Sequence, residues 1–394
     1  MSERPAVTDW ATDFDHLDQA WIENPYPIWT ELREKCPIAH TGRYQGVYCP
    51  VRYEDVRAVA YDPEHFSSRR VVVRQGRPPI VPLPPVTSDP PAHRPQRMVL
   101  LPAFTPEAVK QYEPMTRALC RDLIDRFSSA GGCDGASDYA QYIPVRVMAH
   151  MLGISEHSGD QFRKWIRELL EAGLTDLAAL QRATQEIRAF FGEEIAKRRA
   201  APSTDLISYL INAKVNEHVL DDAHIAGMLH LLLIAGIDTT WSAIGSCLLH
   251  LATHADDRRR LIAEPRLMPS AVEELLRAYS PVTMAREVVK ETAIDGCRFK
   301  EGEMVLLPLP AANRDPSIFP DADRVILDRT ENRHAAFGLG IHRCIGAHLA
   351  RMEITVALEE WLARIPEFQL APGASVQWSG GPVRGPRQLP LVFG

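Results

Sequence analysis

The chain has 394 residues, 45% hydrophobic and 24% charged, a globular balance that excludes disordered, collagen-like and coiled-coil classes. Its 44 basic and 51 acidic side chains leave a net charge of −7, which gives no support to broad nucleic-acid binding. Seven cysteines, an odd number in a long chain, argue against a secreted disulfide scaffold and for a reducing, cytoplasmic setting.

The opening MSERPAVTDWATDFDH carries Glu3, Asp9, Asp13 and Asp15 and no apolar run, so neither a signal peptide nor an anchor is expected there. A short helix is predicted over 26–34, behind Pro25 and Pro27, and strands over 46–51 and 71–73. Residues 74–95 hold eight prolines, which remove amide donors and fix φ, so a stiff extended loop is expected. Helical periodicity marks 105–128, 144–152, 158–172 and 178–199, a long helix over 221–253 and another over 269–279. Strands fit 285–289, 292–294 and 304–308, followed by a Pro- and Asp-rich meander over 313–334. A last helix spans 345–364, and 367–392 reads as short strands and turns. The fold class is therefore mainly α with minor β. One large helical domain over 1–394 overrides the length prior of about two or three domains. Its β-rich portion lies near 40–75 and 285–310. The apolar run Met228–Ala252 is long enough to suggest a membrane span, but Asp238 near its middle is costly in lipid. A helix buried inside the protein is the preferred reading.

Chemistry concentrates in FGLGIHRCIG, Phe337–Gly346. Gly338, Gly340 and Gly346 permit backbone paths closed to other residues. Cys344 precedes a predicted helix, whose free amides and partial positive charge favour thiolate. Such a thiolate can be a nucleophile, a zinc ligand or an axial haem ligand. No nearby base fits the first use, and no CxxC or HxxxH partner fits the second. Cys36, Cys49, Cys120, Cys133, Cys247 and Cys297 read as packing residues. In the long helix, AGIDTT places Gly236, Asp238 and Thr239 where helix propensity and burial both oppose them, a local conflict that marks a functional site.

Phe337, Gly340, Cys344 and Gly346, spaced FxxGxxxCxG, resemble the haem-binding loop of cytochrome P450 monooxygenases, and HAAFG over His334–Gly338 is similar to the lead-in of bacterial members. The resemblance implies the P450 fold, haem b as cofactor and Cys344 as ligand of its iron, with Phe337, Gly338 and Gly346 shaping the loop. AGIDTT is similar to the family's oxygen-activation segment. That likeness implies proton delivery by Asp238 and Thr239, with Ala235 and Gly236 leaving room over the haem. Glu274 and Arg277 match the ExxR motif, with Arg324 as third member of a structural cluster and Arg329 as second candidate. His93, Arg97, Arg286 and His342 are implied as propionate partners. Val81, Leu83, Val86, Leu174, Leu231, Ile234, Val282 and Met284 are implied as walls of an apolar substrate pocket, with residues 78–95 as part of its lid. No acid or arginine stands out as a substrate anchor, although Arg69, Arg70, Arg74 or Arg77 could bind a carboxylate.

The implied reaction is insertion of one oxygen atom from O2 into a small to medium, mainly apolar molecule by hydroxylation, dealkylation or epoxidation. No dinucleotide fingerprint or iron–sulfur spacing is present. Electrons are thus expected from a ferredoxin or flavodoxin docking near Arg333, Arg343 and Arg351, or from a fused reductase if the chain is an excised haem domain. Nucleic-acid and membrane partners are not expected. An H2O2-driven peroxygenase and a non-catalytic haem sensor or carrier are the alternatives; the Asp238–Thr239 pair favours O2 use.

Overall fold

The computed structural model describes residues 5–394; residues 1–4, Glu3 of the acidic opening among them, lie outside the described residues. About 53% of the chain is helical, with small sheets. At the centre runs the helix Asp222–Thr253, capped by the Asp221 side chain, which accepts from the His224 amide at 2.7 Å. It packs against helices Tyr142–Met151, Leu177–Ala200 and Ala347–Arg364. This helix is long and apolar enough to cross a membrane, but 72% of its most apolar stretch is buried by those neighbours. Its all-round apolarity is that of a core element.

Five strands form the principal sheet, in the order Ile38–Thr41, Val47–Pro50, Met304–Pro308, Thr283–Val288 and Phe66–Ser67. All neighbours are antiparallel except the pair of Met304–Pro308 with Val47–Pro50. Strand alternation puts Met284 and Arg286 on one face of the fourth strand, with Val282 just before it bridged to Val383. Val282 and Met284 are half-buried, while Thr283 and Ala285 between them are buried.

Three expectations fail in detail. Residues 71–73 form no strand: the Val71 carbonyl accepts from the Ala285 amide, but the ladder itself uses Phe66–Ser67. The helix expected over 105–128 is two, Pro106–Lys110 and Glu113–Asp125, the second opening with Pro114 in its first turn. Helices Tyr53–Tyr61, Leu206–Asn212 and Ala255–Ala263 were not expected.

Under the cysteine loop lies a closed ionic cluster. Glu274 and Arg277 are both fully buried. Arg277 Nε and Nη2 donate to the two Glu274 oxygens at 2.8 and 2.9 Å. The remaining Arg277 donors reach the carbonyls of Asn313, Ala322 and Arg324. Glu274 also accepts from Arg329 Nε at 3.0 Å, Asn332 Nδ2 at 3.2 Å and the Ile326 amide at 2.9 Å. The expected third member, Arg324, is therefore corrected to Arg329: Arg324 is exposed and lends only its carbonyl. The meander is thus pinned at several points to one helix turn, and within this cluster Glu274 and Arg277 are both paired.

Candidate active site

Cys344 sits between the single helical turn Gly340–His342 and the helix Ala347–Arg364. Its amide donates to the Phe337 carbonyl at 2.7 Å, which closes the loop on itself. Gly340, at φ 66°, lies so close to the neighbouring helix that a Cβ would stand 2.3 Å from the Ala60 carbonyl oxygen. Only glycine meets both demands. Cys344 is the only exposed cysteine of the seven. Protein packs densely around the rest of the residue, and that burial pushes the thiol up. The Gly346 amide and the guanidinium groups of Arg97, Arg351 and Arg343 pull the other way. These are the groups that favour thiolate: the amide at the start of one helix, and arginines from that helix, the loop and the helix His93–Leu100. Phe337 is fixed by the Arg351 guanidinium, 4.4 Å from its ring centre.

Beside this loop the four expected propionate partners come together. His93 and Arg97 lie one turn apart on helix His93–Leu100. The His93 and His342 rings meet at 4.4 Å. Arg97 Nη2 donates to the Arg343 carbonyl at 2.6 Å, and His342 Nε2 lies 2.8 Å from Ser68 Oγ. Burial, with Arg286, His93 and Arg97 adding repulsion, drives the His342 imidazole down to about 3, so it is neutral at pH 7. Arg286 is buried, is pushed down to about 10 by burial, and bonds only its neighbouring Ala285 carbonyl at 2.7 Å. No carboxylate forms an ion pair with Arg97 or Arg286 among the described residues, and the buried His93 Nε2 has no partner. Two uncompensated guanidinium groups with two imidazoles form a donor set that suits the two propionates of a haem, on the same side as an accessible thiol. The residues present fit the implied group.

The central helix divides its work by face. Ala235 is exposed and Thr239 half-buried; both line a cavity of about 210 Å3. Thr239 Oγ1 donates to the Ala235 carbonyl at 2.7 Å, back-bonding one turn along a helix that stays continuous. Gly236 does not serve the cavity, contrary to expectation: a Cβ there would stand 2.7 Å from Met148 Sδ, so its missing side chain admits the neighbouring helix. Asp238 also turns away from the cavity and is fully buried. Arg387 Nη2, from the strand Pro386–Gln388, lies 2.7 Å from Asp238 Oδ1. The N–H is poorly aligned, and neither Asp238 oxygen makes a directed hydrogen bond, so charge holds the pair. Burial raises the Asp238 carboxyl to about 6 even with Arg387 beside it. Arg387 Nε donates in turn to Glu171 Oε1 at 2.6 Å, and Glu171 reaches the surface. This Asp238–Arg387–Glu171 chain was absent from the sequence reading.

Seven expected pocket residues line the cavity: Val81, Leu83 and Val86 from the proline-rich loop, Leu231 and Ile234 from the central helix, and Val282 and Met284 from the sheet. Leu174 does not. It is buried against Gly381, where a Cβ would stand 2.3 Å from Leu174 Cδ1. Leu169, Leu170, Leu180 and Val383 complete the apolar walls. Of the expected docking patch, Arg333 and Arg343 are exposed. Arg351 is half-buried and its charge is already paired, donating to both Glu273 oxygens at 2.6 and 2.8 Å.

The family model described as Cytochrome P450 matches residues 137–376. The chain is 35% identical over 374 residues to the mycinamicin IV hydroxylase/epoxidase of Micromonospora griseorubida, covering 92% of this chain and 94% of that one. It is 34% identical over 356 residues to the steroid C26-monooxygenase of Mycolicibacterium smegmatis, covering 88% of each. The crystal structure of CYP109E1 from Bacillus megaterium in complex with testosterone superposes with a TM-score of 0.87 at 30% identity, covering 94% of this chain and 98% of that one.

Proposed function

This chain belongs to the cytochrome P450 family, and on that premise we propose Cys344, Thr239 and the His93–Arg97–Arg286–His342 cluster as the working parts of its site. The protein is a P450 monooxygenase with haem as its cofactor and an external redox partner. When bound, haem supplies the activation of O2 and the insertion of one oxygen atom. Cys344 is the thiolate ligand of the iron. Its unique exposure, beside guanidinium groups that no carboxylate pairs, is the observation that carries this reading. Arg97, Arg286, His93 and His342 hold the propionates.

The chain's own residues then place substrate and protons. Aliphatic walls exclude water from a small to medium, mainly apolar substrate. Thr239 presents its hydroxyl to the cavity, and Asp238 behind it takes up and releases a proton near pH 6, a value that burial raises and Arg387 holds down. For the Asp238 proton to reach the cavity, the carboxyl must rotate from Arg387 or pass the proton through water. The intact Asp238–Thr239 pair favours O2 over direct use of hydrogen peroxide.

Residues 1–394 are read as one haem domain in a reducing cytoplasm. An acidic ferredoxin or flavodoxin docks at the exposed Arg333 and Arg343 on the cysteine side. The proton assignment is tested with Thr239→Ala. That variant is expected to keep haem and substrate binding but to release hydrogen peroxide in place of product. Product formed in full proportion to electrons consumed would remove Thr239 from proton delivery.

A further inference from the structure

Four arginines, Arg69, Arg70, Arg74 and Arg77, line the substrate cavity, and no aspartate or glutamate does. In a chain of net charge −7 this is a local inversion of sign. The four differ in how far their donors are already satisfied. Arg69 Nε donates to Glu287 Oε2 at 2.6 Å. Arg74 Nη1 donates to the Leu169 and Gly173 carbonyls, both at 2.8 Å, and so ties down the end of the helix Gly159–Leu170. Arg70 donates to the Pro78 carbonyl at 2.7 Å and stands 3.5 Å from Glu287, an acid it shares with Arg69. Arg77 has no carboxylate within ion-pair reach among the described residues. Its one hydrogen bond, to the Gln45 carbonyl, is long at 3.4 Å, and its buried Nε has no partner.

Arg77 is also held in an unusual way. It follows Gly76 in a turn where both residues have positive φ, 73° and 42°. A non-glycine side chain pays for that conformation, and such cost is typical of ligand clamps. Arg77 is half-buried and its bond to the Gln45 carbonyl is exposed, which puts it at the mouth, while Thr239 lines the same cavity from the buried central helix. The other walls are mostly valine, leucine, isoleucine, methionine and proline, with Tyr44, His230, Thr87 and Thr184 as the further polar or aromatic liners; burial drives His230 down to about 4, so it is neutral there.

We propose that Arg77, with Arg70 beside it, is an anion-binding site at the mouth of the cavity, and that the substrate is an aliphatic carboxylate. This inference rests on reading the cavity as the substrate site. The guanidinium fork matches a carboxylate, and the aliphatic body fills the tunnel below.

The test is calorimetric titration of the holoenzyme with decanoate and with methyl decanoate, in wild type and Arg77→Gln. Haem content and the spectrum of the reduced CO complex are recorded on the same samples. Wild type is expected to bind decanoate about tenfold or more tighter than its ester, the difference one charge-assisted hydrogen bond supports. Arg77→Gln is expected to lose about tenfold in decanoate affinity while its ester affinity stays within about twofold. Equal affinity for acid and ester in wild type, equal loss of both in the variant, or no binding of either would overturn the assignment. Failure of the underlying haem reading would show separately, as a missing thiolate signature in wild type.

Discussion

Replacing Arg387 by methionine keeps most of the apolar stem and removes the cation in contact with Asp238. Burial already holds that carboxyl at about 6 with Arg387 2.7 Å away. A cation at contact lowers a carboxyl pKa by about 1–3 units, so its loss is expected to carry Asp238 to roughly 7–9. The wild-type carboxyl is mainly ionised at neutral pH with on the order of one tenth in the acid form; in the variant the acid form dominates. The sign for stability follows. A carboxyl whose folded value lies above its unfolded 3.8 stabilises the acid form, so its favourable share is complete below 3.8 and is lost as pH rises through about 6. In Arg387→Met that loss moves to higher pH. The assay is infrared titration of the protonated carboxyl stretch, assigned by its disappearance in Asp238→Asn. A midpoint at least about one unit higher in the variant is expected. An unchanged midpoint would refute the claim that Arg387 holds the proton affinity of Asp238 down against burial.

Three further outcomes are expected. Arg329→Met removes a nearly buried donor from Glu274 and should cost about 2 kcal/mol, read as a melting point lower by a few degrees. Arg324→Ala touches only an exposed side chain and should stay within about 0.5 kcal/mol of wild type; equal loss in both variants would reverse their roles. Gly340→Ala forces a Cβ against the Ala60 carbonyl at positive φ, and should lower both the melting point and the haem retained per chain. Wild-type haem content by pyridine haemochrome assay would count against that loop geometry.

What the sequence made legible is what lies close together along the chain. Cys344 and its glycines act within ten residues, Glu274 and Arg277 within one helix turn, and His93 and Arg97 likewise, so their contacts follow from local geometry. The central helix was readable because Asp238 and Gly236 conflict with its apolarity, but which way each faces was not. That depends on Met148 and Arg387, brought in from a neighbouring helix and a distant strand. Arg329 was ranked behind Arg324 because spacing alone does not say which meander residue turns inward. Leu174 failed for a similar reason: a buried leucine beside a cavity packs equally well against Gly381. The cationic mouth was visible only as scattered arginines, since their difference lies in backbone carbonyls that hold Arg74 by two short bonds and Arg77 by one long one.

Thiolate ligation by Cys344 is tested most directly by the optical spectrum of the reduced protein under carbon monoxide, in wild type and in Cys344→His. Wild type is expected to show the strongly red-shifted Soret band of a haem with an anionic sulfur ligand. Cys344→His, with haem still bound, is expected to show the unshifted band of a nitrogen-ligated haem. A red-shifted band that survives loss of the cysteine, or its absence from haem-loaded wild type, would contradict the account.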